Sequence, residues 1–301
     1  MKLKRISEVG RRGVLFTYEF GDSVYLIEAN DRIILCDTSE GLEEIEVVKT
    51  YITENNLGNK PLYIFNSHSD WDHYFGNGSF PNNEIIGHSM CRKRMKERLE
   101  FDLYRFNKNL SVKLPTITFN DNLSFMDSKI EFVYTPGHTI CSSICIDHFD
   151  EVVYVGDLLE DPIPLLNYLD LGKYLESLEY LKSLKPKIII TTHSQIVKNK
   201  LVDEHISYII DVIRGKYLTF SNDFSPIRHT FNMKNLLLLR LEEKIKTIAE
   251  EKFDYKEYKL NLWDYIVKKH QFVNKRLWDI SDISYLELKK DLEMYYAINY
   301  Q

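Results

Sequence analysis

Cysteine, glycine and proline are all scarce in this chain, and each scarcity excludes a class of protein. Four cysteines in 301 residues (Cys36, Cys91, Cys141 and Cys145) make no disulfide framework. Only Cys141 and Cys145 lie close together, and a C-x3-C pair alone is a weak metal signal, so all four are expected to be reduced and mostly buried as small apolar side chains. With 12 glycines and 8 prolines, the chain is neither collagen-like nor linker-rich. Purely apolar runs such as 236–239 and 188–190 fall far short of the roughly 20 residues that span a bilayer. The opening stretch MKLKRISEVGRRG is basic but has no apolar segment, so no secretory signal is read there. A cytoplasmic protein with no membrane partner is expected. Excess positive charge is missing too. Lys and Arg number 39 against 45 Asp and Glu, a net −6 with His neutral, which argues against a nucleic-acid surface over most of the molecule.

What is present is an ordinary globular composition, 44% hydrophobic and 28% charged, which excludes general disorder. The length fits two domains or one large α/β domain. Val14–Phe20, Ser23–Ala29 and Arg32–Asp37 are rich in β-branched and aromatic residues, with Gly21-Asp22 and Asn30-Asp31 as turns between them, which reads as an antiparallel meander. Leu42, Ile45, Val48 and Ile52 then make a helical stripe over Leu42–Asn55. Further strands are expected at Pro61–Phe65, Glu84–Gly87, Pro115–Phe119, Leu123–Met126, Lys129–Tyr134, Ser142–Asp147, Glu151–Val155 and Lys187–Thr192. Helices are expected at Ser89–Phe106 and Leu171–Ser183, and the two β-rich halves with helices outside suggest a layered α/β architecture. Beyond about residue 200 only helices are read, at Val202–Arg214, Lys234–Lys252, Tyr255–Lys269 and Tyr285–Tyr296, with a break in direction at Phe224-Ser225-Pro226. The expected division is a catalytic domain over 1–220 and a helical region over 221–301.

The informative segment is Asn66-Ser67-His68-Ser69-Asp70-Trp71-Asp72-His73, which places four potential metal ligands in six residues directly after an apolar strand. A loop at a strand's carboxyl end is a common place for a site. Imidazole and carboxylate together suit zinc, iron or manganese. Taken alone, the segment also reads as a hydrophilic turn making local Asx-type hydrogen bonds. Three more strand ends present the same residue types: His138 in Thr135-Pro136-Gly137-His138-Thr139, Asp157 in Val155-Gly156-Asp157, and His193 in Thr191-Thr192-His193-Ser194. Four strand ends offering His and Asp point to one shared metal centre.

In this order and spacing the motifs resemble those of the metallo-β-lactamase-fold superfamily, whose signature is His-x-His-x-Asp-His, then Gly-His-Thr, then an Asp after a strand and a final His. Here these stand as His68 to His73, Gly137-His138-Thr139, Asp157 and His193, over roughly residues 13–200. Asp37 resembles the family's early structural Asp, and Gly76-Asn77-Gly78 its glycine-rich stretch. The resemblance implies a four-layer αββα sandwich with two divalent metal ions at one edge. It implies one metal held by His68, the residue at 70 and His138, a second held by Asp72, His73 and His193, and Asp157 bridging both. A metal-bridged hydroxide would then cleave a small-molecule ester, thioester, lactone or phosphoester, with Asp72 orienting the nucleophile or accepting its proton. Zinc is the expected metal. Asp70 departs from the motif, where a second His is common, and a harder, charged ligand moves preference toward iron or manganese. An oxygen-handling di-iron protein of the same fold is therefore the alternative, although no electron-carrying module is read. Asp70 as a residue outside the metal's own ligands also stays open.

Other features are read more plainly. The basic run Arg92-Lys93-Arg94-Lys96-Arg98 is expected to be a solvated helix face. His88 and His148 are expected to be structural or solvated, and Trp71 and Tyr74 to pack at the rim of the site. The stretch Asp161–Tyr168 is read as a wall of the pocket. The tail helices, with Trp263, Trp278 and many tyrosines, are expected to cover the site or to form a homodimer contact.

Overall fold

The computed structural model describes residues 2–249, 252–271 and 283–300. Short turns between β-branched runs generate the first sheet. Its strands β1 (Leu3–Val9), β2 (Gly13–Tyr18), β3 (Ser23–Glu28) and β4 (Ile33–Cys36) form an antiparallel meander. Three strands then add in parallel: β5 (Leu62–Asn66), β6 (Glu84–His88) and β7 (Ile117–Phe119), in the spatial order β1 to β7. The crossovers carry α1 (Leu42–Glu54), the single turn α2 (Trp71–Tyr74) and α3 (Ser89–Arg105). The second sheet has the order β13-β12-β11-β10-β9-β8. Its members are β8 (Asn122–Phe125), β9 (Ile130–Tyr134), β10 (Ser143–Asp147), β11 (Val152–Tyr154), β12 (Ile188–Thr191) and β13 (Gln195–Val197), with α4 (Leu171–Leu184) crossing from β11 to its parallel neighbour β12.

Strand alternation sorts side chains into layers, because successive residues face opposite sides of a sheet. Along β2, Leu15 points between the sheets, while Val14, Phe16 and Tyr18 point outward beneath α1. The inner layer joins Tyr25, Ile34 and Phe65 of one sheet to Phe132, Tyr154 and Ile190 of the other, with the Phe65 and Phe132 rings 4.7 Å apart. The expected stripe Ile45, Val48 and Ile52 covers the outer face of the first sheet. Tyr174, Leu178 and Leu181 of α4, with Leu201, Val202 and Ile209 of α5 (Lys200–Ile213), cover the second. The result is a four-layer αββα sandwich. Burying each large apolar side chain contributes roughly 1.5–3 kcal/mol, so these three layers hold the edge that carries the site. All four cysteines are buried and free.

Two strands were not expected. β1 reads LKRISEV, in which charge masks the alternation. It forms an edge strand whose Val9 pairs with Gly13 across a turn at Gly10, where φ is +66°. β13 has only three residues and pairs with the end of β12. A third difference lies in the tail. Helix α6 starts at Phe224, ten residues before the expected start, and runs to Ala249. Pro226 breaks nothing because it sits in the first turn, where no backbone N–H is required, and the Asn222 side chain accepts from the N–H groups of Phe224 and Ser225.

The tail continues as α7 (Tyr255–His270) and α8 (Tyr285–Tyr300). The expected division near 220 falls between α5 and α6, yet α6 has two apolar faces. Leu236 and Leu239 join the second sheet's outer layer, while Leu241 and Ile245 pack with Tyr258, Leu262, Leu292 and Tyr296 of α7 and α8. Trp263 packs at the edge of that cluster; Trp278 lies outside the described residues. Among the described residues no helix is long and apolar enough to cross a membrane.

His205, on the buried face of α5, accepts a hydrogen bond at Nε2 from the Glu160 N–H at 3.1 Å, and burial pushes its pKa down to about 3. The unfolded chain takes up this proton near pH 6.5 and the folded one does not, so the contribution is present above pH 6.5 and is lost as pH falls toward 3. At pH 5 the loss is about 2 kcal/mol. A His205→Gln variant, which keeps an acceptor but cannot titrate, is expected to show a flatter decline of Tm between pH 6.5 and pH 5 than the parent chain. Parallel declines would show that His205 does not carry this part of the acid sensitivity.

Candidate metal centre

Five strand ends deliver the site to one edge of the sandwich. Asp37 follows β4, the segment His68 to His73 follows β5, His138 lies in the turn from β9 to β10, Asp157 follows β11 and His193 follows β12. Asn66 and Asn77 exchange side-chain amide hydrogen bonds (2.8 and 3.2 Å), and Thr38 Oγ1 donates to Asn77 at 2.9 Å, which pins the loop that carries His68 to His73. Asp157 reaches inward because Gly156 holds φ at +55°, where a Cβ would stand 2.6 Å from Ser67 Oγ.

Each imidazole is oriented by a partner behind it. His73 Nδ1 donates to Asp37 Oδ2 (2.7 Å), His193 Nδ1 to Asp22 Oδ1 (2.7 Å) and His138 Nδ1 to the Leu165 carbonyl (3.2 Å). His68 Nδ1 lies 3.0 Å from Ser67 Oγ. These partners put the Nε2 lone pairs inward. There, His73 and His193 Nε2 stand 3.3 and 3.2 Å from Asp157 Oδ2, and His68 and His138 Nε2 stand 3.9 and 3.8 Å from it. Asp70 Oδ2 lies 3.2 Å from His138 Nε2 and 3.6 Å from His68 Nε2. Asp72 Oδ2 lies 3.3 Å from His193 Nε2 and 3.9 Å from His73 Nε2. Ligand atoms lie within 4.8 Å of one another in each of four overlapping groups: His68, Asp70 and His138; Asp72, His73 and His193; His68, His73 and Asp157; and His138, Asp157 and Glu160. All seven sequence-derived ligand positions therefore converge, on both sides of Asp157.

The donor set fits cations. The buried atoms His68 Nε2, His73 Nε2 and Asp157 Oδ1 have no hydrogen-bond partner. An orphaned buried polar atom costs about 1–3 kcal/mol, which a coordinated ion removes. The local field points the same way. Burial alone would lower the His73 pKa, but Asp157, Asp37 and Asp72 raise it well above the usual imidazole range. His138, against its own desolvation, is pushed up to about 9 by Asp70 and Asp157. The carboxylates that raise these pKa values make a negative local field, which favours a metal cation held by the neutral imidazoles.

Several participants escape a reading of the motif alone. Asp22 appears in the sequence only as a turn residue, and its role depends on His193, far along the chain. Glu160 approaches His138 Nδ1 (3.8 Å) and pairs with Arg228 at 3.0 Å. Arg98 Nη1 lies 2.9 Å from Asp70 Oδ1. This ion pair corrects two expectations. The basic run on α3 is not simply a solvated face, because Arg94 and Arg98 line the cavity beside the site. The extra negative charge of Asp70 is also offset: burial would raise its pKa, but Arg98 and the two imidazoles hold it well below the usual carboxylate range.

The cavity holds about 290 Å³, and its lining runs from Asp72, Asp157 and His193 to Phe231, Asn235 and Leu239 of α6 and Tyr255 of α7. The tail helices thus form its roof. Trp71 also lines it while stacking on Phe106, with centroids 3.8 Å apart, and Tyr74 is fully buried. His88 caps α3 and stacks on Tyr134, and His148 pairs with Glu131 near the surface, so both stand apart from the site. From the wall segment, Leu165 and Asn167 line the cavity, and Asn167 Nδ2 donates to Asp70 Oδ2 at 3.4 Å.

Comparisons with known proteins show the family and the fold. A family model described as the metallo-beta-lactamase superfamily matches residues 17–193. A probable metallo-hydrolase of Methanocaldococcus jannaschii is 33% identical over 178 residues, which is 56% of this chain and 75% of that protein. A lactamase-like protein of Arthroderma gypseum is 24% identical over 192 residues, covering 62% of this chain and 56% of that one. The crystal structure of the FIM-1 metallo-beta-lactamase from Pseudomonas aeruginosa, in a mono-zinc form, superposes with a TM-score of 0.58 at 12% identity, over 69% of this chain and 95% of that one. At that identity the likeness speaks to the fold.

Asp37 is the orienting group most open to test. An Asp37→Asn change keeps the shape but removes the charge that holds His73 Nδ1–H, and loss of such a partner weakens metal binding by about 10–100-fold. Competition titration against a chromophoric chelator is expected to show that loss with the fold retained. Unchanged affinity would remove Asp37 from the account.

Proposed function

Because the chain belongs to the metallo-beta-lactamase superfamily, we propose that it is a binuclear metal-dependent hydrolase of a small-molecule ester, thioester, lactone or phosphoester. In this reading His68, Asp70 and His138 hold one divalent cation. Asp72, His73 and His193 hold the second, with Asp157 between them. The observation that carries it is the convergence of imidazole Nε2 atoms, two of them buried without a hydrogen-bond partner, around the Asp157 carboxylate. When bound, the two ions supply an acidified water and an electrophile for the scissile group.

The chain's own residues supply the rest. Asp72 is 19% exposed on its side chain, whereas Asp157 is 6% exposed. Asp72 is therefore the carboxylate placed to accept a proton from the nucleophile and pass it toward the cavity, and we assign it that role. Asp37 and Asp22 fix the tautomers of His73 and His193. Phe231, Leu239 and Tyr255 in the roof exclude water from the substrate, and the cavity volume limits that substrate to a small molecule. Zinc is the proposed metal. Asp70 adds a hard ligand that favours manganese or iron, but Arg98 withdraws part of its charge. The chain is proposed to act in the cytoplasm without nucleic acid. The roof position of α6 and α7 favours a cover over a dimer contact as the role of the tail.

Metal analysis and an absorption spectrum of protein purified without added metal test this reading directly. Two colourless divalent ions are expected; two irons with visible charge-transfer bands would favour the di-iron alternative. The ion pair makes a sharper forecast for position 70. Asp70→His removes the only carboxylate within 3 Å of Arg98 among the described residues and leaves a guanidinium facing the first site. Zinc uptake is expected to fall from two ions to one in the single variant and to return to two in Asp70→His with Arg98→Gln. Two zincs in the single variant would show that Arg98 does not govern the first site.

A further inference from the structure

The cavity has a second chemistry away from the metal ligands. Arg94, Arg98, Phe101 and Arg105 stand at i, i+4, i+7 and i+11 of α3, one face of the helix, and all four line the cavity. Like charges at i and i+4 repel, so this half-buried face calls for anions opposite it. Some are present. Arg98 pairs with Asp70 at 2.9 Å and lies 3.7 Å from Asp102. Across the cavity, Lys259 of α7 meets Glu242 of α6 at 2.7 Å, and Lys246 meets the other Glu242 oxygen at 3.0 Å and Glu97 at 2.5 Å.

Arg94 has no such partner. Among the described residues no carboxylate lies within 4.0 Å of its guanidinium, and its Nε is buried without a hydrogen-bond acceptor. Glu242, which lines the same cavity, is already taken by two lysines. Among the described residues, the corner where α3, α6 and α7 meet therefore holds four cations, Lys93, Arg94, Lys246 and Lys259, against three carboxylates, Glu97, Glu242 and Glu243. Arg105 is a different case. It lies about 16 Å along the helix axis from Arg94, at 1.5 Å per residue, and its guanidinium sits over the Phe106 ring at 4.8 Å.

We propose that the substrate carries an oxyanion, carboxylate or phosphate, remote from the bond that is cleaved, and that Arg94 with Lys259 binds it while the metal ligands face the scissile group. The proposal rests on the hydrolase reading for the second half of that statement only. The chemistry is that of Arg recognising a planar or tetrahedral oxyanion through paired N–H donors in a site partly shielded from water, where a charge-assisted hydrogen bond is strong. It narrows the substrate class from any small ester to one bearing a second, anionic group, and it gives the roof helices a part in selecting that group.

Calorimetry with two probes, inorganic phosphate and glutarate, tests it, with glutaramide as the neutral control. Each is titrated into zinc-loaded protein and into the same protein after chelation, for the parent chain and for Arg94→Gln, Arg94→Lys and Arg105→Gln. At least one anion is expected to bind with and without metal, to weaken about tenfold or more in Arg94→Gln, to weaken less in Arg94→Lys, and to change little in Arg105→Gln. The tighter anion distinguishes phosphate from carboxylate. No binding of either anion to the parent chain, or equal binding to Arg94→Gln, overturns the subsite. Binding that vanishes on chelation but survives Arg94→Gln places the anion on the metals, which overturns the subsite and upholds the hydrolase reading. Arg94-dependent binding in a chain that takes up no metal upholds the subsite and overturns the hydrolase reading.

Discussion

The Asp37 carboxylate is the constraint on which the rest of the site depends. It is fully buried and accepts from Ser67 N–H at 2.7 Å, Ser67 Oγ at 2.6 Å, His73 Nδ1 at 2.7 Å and Tyr154 OH at 2.8 Å. Those donors come from the loop after β5, from α2 and from β11, so one carboxylate ties the two sheets together where the candidate ligands emerge. A buried charge is tolerated only when its lone pairs are met in this way. Charge at Asp37 then sets the tautomer of His73, and the tautomer sets which nitrogen faces Asp157.

Much of this was legible in the sequence because the chemistry sits at the ends of apolar strands. A run such as Leu62–Asn66 announces a buried strand, and polar ligands immediately after it are aimed by that strand. The alternation of strands and helical stripes gave a layered α/β architecture, and the resemblance of the motifs implied the αββα order. What was illegible depends on contacts between distant residues. Asp22 matters only because it meets His193, and Arg98 matters only because the middle of α3 passes beside Asp70. Composition made Arg98 part of a solvated basic run; the fold turned one stripe of that run inward. β1 was hidden by its charged outer face, and the start of α6 by a proline whose position in the first turn makes it harmless.

The helical tail links packing to chemistry. α6 shares Leu236 and Leu239 with the outer layer of the second sheet and places Asn235 where its Nδ2 donates to the Leu166 carbonyl (2.8 Å) and to Asn167 Oδ1 (2.6 Å). Asn167 in turn touches Asp70. The roof is therefore connected to the ligand set through a continuous hydrogen-bonded path, and its position is fixed by an apolar face rather than by a flexible hinge. Such an arrangement favours a preformed pocket over one assembled on binding.

The central claim is that seven side chains hold two cations about Asp157. Anomalous X-ray scattering at the zinc edge, from crystals of zinc-loaded protein, tests it most directly. The account predicts two peaks, each about 2.0–2.3 Å from its ligand nitrogens and oxygens, one against His68, Asp70 and His138 and the other against Asp72, His73 and His193. A single peak, or zinc bound away from these residues, would contradict it.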